Sequence, residues 1–403
     1  DYHLQRPGEW HADTSELVQM LRKGHHGVRL DAEAWDRLIT WIDLNVPCHG
    51  TWTEHRAIAS NFHQRRLECR TLYANRPEDP ETYPTPPPGP VAFVQPGPEP
   101  EPPAAPECPN WPFDAAEAKK RQLAAAPQPA RSIELAKDVK LDLVLIPAGE
   151  FLMGDTAGDP DEWPVTRVKT DKPFWMGKLE VTNAQFACFD PDHDSAYISE
   201  FNKDQSTRGQ PVNRPHQPVL RVSWDQALAF ARWLSEKTGE RFTLPTEAQW
   251  EYACRAGSAM PMNYGALDAD FSKLANLADA QVNNLCRKNS PRWIPCIATV
   301  TDGATVTDSP ERWQPNAWGL HGMHGNVAEW TLSIYRPYPY KDDDGRNDLS
   351  AAGSRVVRGG SFYDRPALAR SASRHAHPSW QHVFDVGFRV VAPLDGGKVV
   401  RAR

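Results

Sequence analysis

The chain has no Cys-x-x-Cys pair among its seven cysteines and no Cys-x-x-Cys-His run, which argues against a zinc cage and against covalently attached c-type haem. Only Cys286 and Cys296 stand close enough to close a loop disulfide, and spacing leaves that open against two reduced thiols. No apolar run reaches the roughly 18 residues of a transmembrane helix, so no membrane span is expected. Basic charge is short as well: 45 Lys and Arg against 52 Asp and Glu leave a net charge of -7. The concentrated basic face that nucleic acid or anionic lipid needs is therefore missing. The opening Asp1-Tyr2-His3-Leu4 does not read as a signal peptide, and the missing Met leads to the expectation of a piece processed from something longer.

Proline, in contrast, is abundant, and 15 of the 38 prolines fall within residues 76–112. Such a stretch is poor in amide donors and favours extended polyproline geometry, so residues 76–136 read as a proline-rich linker or arm. Before it, residues 1–75 read as a small helical module. Thr14 or Ser15 caps a helix to Lys23 with Leu17, Met20 and Leu21 on one face; Asp31 caps a second over residues 32–44, with Trp35, Leu38, Ile39 and Ile42 at helical spacing. A third, basic helix is expected over residues 54–73. After the arm, residues 137–396 read as a second domain. Strands are expected at residues 141–146, 151–154 and 174–181, and helices at 115–126, 183–188, 224–239 and from Thr246 to Gly257, several behind a Thr or Ser cap. Beyond Gly257 periodicity fades, leaving short strands at 354–358 and 386–391. Loops that long call for a pin, and metal ions are suited to that.

One stretch there is distinctive: residues 318–335 place Gly319, Gly322 and Gly325 just before Glu329 and Trp330. Glycines let the backbone turn its carbonyls toward a hard cation beside a carboxylate, while the plainer reading is a tight turn entering a strand with Trp330 in the core.

Several blocks in order, Ile146-Pro147-Ala148-Gly149-Glu150-Phe151, Glu180-Val181-Thr182-Asn183, Leu244-Pro245-Thr246-Glu247-Ala248-Gln249-Trp250-Glu251-Tyr252, Val357-Arg358-Gly359-Gly360-Ser361-Phe362 and Gly387-Phe388-Arg389, resemble the formylglycine-generating enzyme family. The resemblance spans residues 140–393. It implies an α+β architecture, a loop-rich variant of the C-type lectin-like fold, with the small helical module in front. Separately, residues 28–50 resemble the last helix of cytochrome c-like domains of secreted planctomycete-type proteins and the closing region of proteins related to the hydrazine synthase alpha subunit. That likeness carries no haem motif. His25 and His26 are read as surface histidines or, less favoured, iron ligands.

What the resemblance implies for chemistry divides into losses and retentions. The family's founding enzyme oxidises a sulfatase cysteine with copper held by two cysteines after the Gly-Gly-Ser block, and the corresponding positions here carry Asp364 and Ala369. Soft thiolates suit Cu(I), so copper and formylglycine-generating activity are not expected. The His-x-x-x-His-x-Glu pattern of the ergothioneine-type branch is missing too, which disfavours iron catalysis. Calcium carries over: one ion is implied at Asn276, Leu277, Asp302 and Ala304, and a weaker second one at Gly325, Val327 and Glu329, where Gly322 lacks the side-chain oxygen relatives supply. Ala328 replaces a frequent Trp, so an altered groove is expected. Groove candidates are Ser361, Asp364, Arg370 and Arg374, with His375 and His377 nearby; Trp313, Trp318, Tyr338 and Tyr340 are stacking candidates for a glycan.

The expectation is a non-catalytic binding or assembly domain of a periplasmic or secreted multidomain protein, with calcium as a structural ion. Its partners would be another protein, upstream domains of the same precursor, or a glycan or peptide ligand. The alternative is a metal- or haem-dependent oxidoreductase subunit whose cofactor is bound by other residues or a partner chain.

Overall fold

A computed structural model describes residues 12–43, 62–79, 101–198, 209–285 and 294–395. They form two units, one made of Asp1–His25 with Glu101–Arg403 and the other of His26–Pro100. The division within the N-terminal part thus falls after His25 rather than near residue 75. Helix α1 (Glu16–Arg22) counts with the larger unit because its Val18, Gln19 and Lys23 are buried there. The second unit contains α2 (Ala32–Asp43), capped by Asp31 Oδ1 on the Ala34 amide at 2.8 Å, and α3 (Phe62–Ala74). No residue of α2 is buried, and the expected start of the third helix lies outside the described residues.

In the larger unit, α4 (Ala115–Ala125) precedes β1 (Ala130–Ala136), β2 (Val139–Ile146), β3 (Gly149–Met153), β4 (Thr166–Thr170) and β5 (Phe174–Gly177). Then come α5 (Asn183–Ala187), β6 (Tyr197–Ile198), β7 (Gln210–Pro211), α6 (Trp224–Thr238) and α7 (Glu247–Arg255). The chain closes with β8 (Ala328–Ile334), β9 (Arg355–Arg358), β10 (His375–His377), β11 (Val386–Phe388) and β12 (Val391–Pro393). One four-stranded sheet has the order β1-β2-β5-β12, the other β10-β9-β8-β11, and β3-β4 and β6-β7 are two-stranded. All pairs are antiparallel except β8 with β11. The expected α+β, loop-rich class is what is observed.

Period-two alternation explains how the first sheet divides the interior. Leu141, Leu143 and Leu145 of β2 enter one apolar cluster with Phe230 and Leu234 of α6, while Val144 and Ile146 enter a second with Trp250 and Tyr252 of α7. A strand buried on both faces reads as a continuous apolar run, as β2 does. The helices start where the caps predicted. Thr182, Ser223 and Thr246 each accept a hydrogen bond from the amide three residues on, with Gln185, Gln226 and Gln249 closing the box. Gly239 ends α6 in the left-handed region at φ 75°. Strands β1, β4 and β10 were not expected: β1 is exposed or half-buried along most of its length and pairs with β2 across a tight turn, while β4 and β10 are short and are defined by pairing with β3 and β9.

Short strands leave much of the chain to be fixed by side chains, and α7 supplies the anchors. Glu247 accepts from Arg374 Nε at 2.6 Å, Glu251 pairs with Arg358 and Arg255 and accepts from the Gly154 amide at 2.9 Å, and Trp250 Nε1 donates to Glu329 at 2.8 Å. All four carboxylate and guanidinium partners Glu247, Glu251, Arg358 and Arg374 are fully buried. Arg374→Met should therefore lower the unfolding free energy by about 3–5 kcal/mol, since it strands a buried carboxylate. Guanidinium denaturation checks this, and Glu247→Met/Arg374→Met should recover most of the loss.

Candidate functional site

The glycine turn before β8 crosses the middle of the larger unit, and close approach rather than flexibility accounts for its glycines. A Cβ on Gly322 (φ +68°) would lie 2.3 Å from Glu180 Oε1, and one on Gly325 (φ +76°) would lie 1.9 Å from the Asn276 carbonyl oxygen. The missing side chain at Gly322 thus leaves room for the Glu180 carboxylate. Asn326 Nδ2 donates to Glu180 Oε1 at 3.1 Å, while Oε2 is buried with no hydrogen-bond partner. Desolvation pushes Glu180 up to about 8, against the pull of Arg389. Glu329, implied as a calcium ligand together with the Gly325 and Val327 carbonyls, is held otherwise. Arg389 donates to Oε1 at 2.5 Å and to Oε2 at 2.7 Å, and Trp250 also donates to Oε2. A guanidinium supplies the positive charge at this second location, and both Glu329 oxygens are engaged, so the residues present do not fit a further cation well. Trp330 is fully buried in β8, in line with the plainer reading of this stretch as a turn entering a core strand.

Asn276, Leu277, Asp302 and Ala304 are brought together. The Asn276 carbonyl accepts from the Asn326 amide at 2.7 Å, Asp302 Oδ2 accepts from the Leu277 amide at 3.0 Å, and Asp302 Oδ1 from the Ala304 amide at 2.9 Å. Asp279 joins them, accepting from the Asp302 amide at 2.6 Å. Burial is the main cause that pushes Asp302 up to about 7, and Asp279 adds to it. Among the described residues neither carboxylate has a Lys or Arg ion-pair partner. Two adjacent carboxylates, Asp302 and Asp279, with Arg312 acting on Asp302 only through its charge, are oxygen donors of the kind Ca2+ prefers.

The groove candidates separate into two kinds. Ser361 Oγ lies 3.1 Å from Asp364 Oδ2 and 2.9 Å from Asp385 Oδ2, and it also accepts from the Tyr363 amide at 3.2 Å. One hydroxyl proton serves only one carboxylate, so the other contact needs a carboxyl O–H. Burial raises Asp364, and burial plus the charge of Asp364 pushes Asp385 up to about 7. Asp385 was not anticipated, since it lies outside every local motif. Arg370 and Arg374, in contrast, are structural: Arg370 forks onto Glu162, and Arg374 is tied to Glu247 and to the carbonyls of Asp161 and Arg336. Ala369 sits in an apolar cluster with Met262, Phe271 and Leu277. Cys254 is the cysteine whose contacts reach this corner among the described residues. Its sulfur is 3.5 Å from His324 Nε2, and burial pushes the thiol up to about 12. His324 accepts from the Asn263 amide and bonds the Ala369 carbonyl through Nδ1, and burial pushes it down to about 4.

An acidic cluster was read in the sequence only as a loop. Asp159, Asp161 and Glu162 offer carboxylate oxygens within 4.8 Å of one another, a spacing that can hold a metal ion such as calcium. Two side-chain cations already face it: Lys23 reaches Asp159 at 2.9 Å, and Arg370 holds Glu162. Burial nonetheless leaves Glu162 raised to about 6. Trp313, Trp318, Tyr338 and Tyr340 are all buried, a core role rather than glycan stacking, with Trp318, Tyr338 and Tyr340 in the cluster beneath α7. Cys286 lies outside the described residues, and Cys296 Sγ is 3.4 Å from Asn283 Nδ2.

Residues 131–394 match the family described as Sulfatase-modifying factor enzyme 1-like domain. The chain is 28% identical over 320 residues to a formylglycine-generating enzyme of Streptomyces coelicolor, covering 67% of this chain and 96% of that one. It is 29% identical over 290 residues to the serine/threonine-protein kinase pkn1 of Chlamydia pneumoniae, covering 66% of this chain and 41% of the kinase. Among solved structures it is similar to PvdO from Pseudomonas aeruginosa, with 27% identity, a TM-score of 0.52, and coverage of 67% of this chain and all of PvdO.

The Ser361 site carries a pH signature. A carboxyl raised in the folded state contributes stability that is present below the ordinary carboxylate range and lost as pH rises toward the folded value. Unfolding free energy should therefore fall between pH 4 and 7, by at most about 1.4 kcal/mol per pH unit from Asp385. Asp385→Asn, whose amide can donate to Ser361, should flatten that slope in denaturation curves taken across the range.

Proposed function

The chain belongs to the sulfatase-modifying factor enzyme 1-like family, and from that premise we propose that it is a non-catalytic binding or assembly domain that does not generate formylglycine. The observation that carries this reading is the corner after Gly360. Asp364 and Ala369 stand where the family resemblance places the copper cysteines, Asp364 is tied to Ser361, and Ala369 is packed among apolar side chains. A carboxylate and a methyl group supply no thiolate for Cu(I). Cys254 is held as a buried thiol, which is no substitute. The match to part of a protein kinase supports use of this scaffold outside formylglycine chemistry. In this reading the domain serves a periplasmic or secreted multidomain protein and engages another protein or domains of the same precursor, with the segment resembling a cytochrome c-like tail and the proline-rich arm as its connection.

Calcium, at Asn276, Leu277, Asp302 and Ala304, is structural in this reading. It would neutralise Asp302 and Asp279 and fix the two loops that carry them against the glycine turn. No step of chemistry runs through it.

Two measurements test the proposal. Incubated with Cu(I), oxygen and a sulfatase-derived cysteine peptide, the protein should leave the peptide free of aldehyde by mass spectrometry; turnover would sink the reading. For chelator-stripped protein, Ca2+ at 100 times its Kd should add about 2.7 kcal/mol of stability. Asp302→Asn should abolish that shift in thermal melts, and an unchanged shift would remove Asp302 from the site.

A further inference from the structure

Residues 12–25 lie against strand β10 and the loops that carry Asp159, Arg365 and Gln381, and the contacts run from an acidic end to a basic one. Asp13 Oδ1 accepts from Gln381 Nε2 at 3.1 Å, and Asp13 Oδ2 is 3.8 Å from His377 Nδ1. Glu16 pairs with Arg365 at 3.0 Å, directly after Asp364. Gln19 Nε2 donates to the Ala376 carbonyl at 3.2 Å, and Lys23, 6% exposed along its side chain, ends at Asp159. The expected apolar face of Leu17, Met20 and Leu21 is not the buried one. Leu17 is exposed, and the side bearing Val18, Gln19 and Lys23 faces inward because the surface beneath offers polar partners.

How the segment is held differs from the rest of the fold. Among residues 15–24 the backbone hydrogen bonds run within the segment: Ser15 to Ala12, Gln19 to Ser15, Lys23 to Gln19 and Gly24 to Leu21. Ser15 caps its own helix by accepting from the Val18 amide at 3.3 Å. Ala12 and Val18 are buried, yet neither belongs to the three apolar clusters that make the core. The chain then leaves through the whole of His26–Pro100 before it returns to the unit. A self-capped helix attached through the side chains of Asp13, Glu16, Gln19 and Lys23 has the form of a bound peptide ligand.

We propose that the cradle formed by Asp159, Arg365, Ala376, His377 and Gln381 is a peptide-docking site, occupied in cis by residues 12–25. The proposal rests on the reading of the chain as a binding domain and names the partner class: a short helix with an acidic side chain near its start, a glutamine six residues on, and a lysine four residues beyond that. Specificity comes from charge at the two ends. Arg365 meets Glu16 at the acidic end, Gln381 and the His377 ring lie against Asp13, Asp159 meets the lysine, and a reversed charge at Glu16 or at Lys23 would meet its own sign. The resident segment acts as a competitor whose tether keeps it at high local concentration. Its position beside Asp364 also covers the corner in which the copper cysteines of relatives are expected.

The test uses the full chain with Glu16→Arg and Lys23→Glu, which leave the cradle intact and set each new charge against its own sign, Arg365 and Asp159. A fluorescent peptide of native residues 12–25 should bind this variant about tenfold or more tighter than it binds the unaltered chain, where the resident competes. A peptide carrying the same two reversals should not bind. Hydrogen exchange on the unaltered chain adds a readout that needs no variant: amides of Glu16–Arg22 should exchange faster than those of Trp224–Thr238 and by a separate opening. The proposal is overturned if the folded variant takes no native peptide, if it takes both peptides equally, or if the α1 amides exchange only with global unfolding. Aldehyde formation plays no part in these readouts, so failure here leaves the non-catalytic reading standing, and turnover there leaves the docking result intact.

Discussion

The structure depends on carboxylates and guanidinium groups buried around one nine-residue helix, α7. Its strands are two to eight residues long, too short for sheet hydrogen bonds alone to position the loops between them. From α7, Glu247 reaches Arg374, Glu251 reaches Arg358 and the Gly154 amide, and Trp250 reaches Glu329, which in turn holds Arg389. Each pair is stable only when closed, because an unpaired buried charge is far costlier than an unpaired surface one. The loops are thereby given single positions, and the glycine turn before β8 is threaded between them.

A second group of acids has no such partner, and their protonation follows from that. Glu180, Asp302 and Asp385 are all raised chiefly by burial, in contrast to Glu329, which Arg389 grips with both arms. Of these, Glu180 still has Arg389 at 3.9 Å, whereas Asp302 and Asp385 have no Lys or Arg ion-pair partner among the described residues, and Asp385 shares a proton network with Ser361. At the acidic loop of Asp159, Asp161 and Glu162 the chain itself supplies the cations, Arg370 from the core and Lys23 from the N-terminal helix. That last contact joins the electrostatics of the fold to its proposed role in docking.

The departures from the family pattern lie close together in space although they are spread in sequence. Asp364, Ala369 and the cover formed by α1 over Arg365 meet at the corner following the Gly-Gly-Ser block. Gly322 makes room for Glu180 on the other side of the glycine turn.

The amino-acid order by itself determined the α+β class, the capped starts of α5, α6 and α7, the place of the β2 run, and the need for glycine in the turn before β8. Those are local properties: a cap, a period or a positive φ is decided within a few residues. The set Asn276, Leu277, Asp302 and Ala304 came from the family resemblance and from no local period. Tertiary structure alone decided that Arg370 and Arg374 are ion-pair partners rather than groove residues, and that four aromatic stacking candidates are core. It also placed Asp385 opposite Asp364 and turned the polar side of α1 inward. Each of those outcomes depends on a partner that the chain path brings back from a distance, from Glu162 to Arg370 or from Asp13 to Gln381, and periodicity carries no information about which strands and loops will cross.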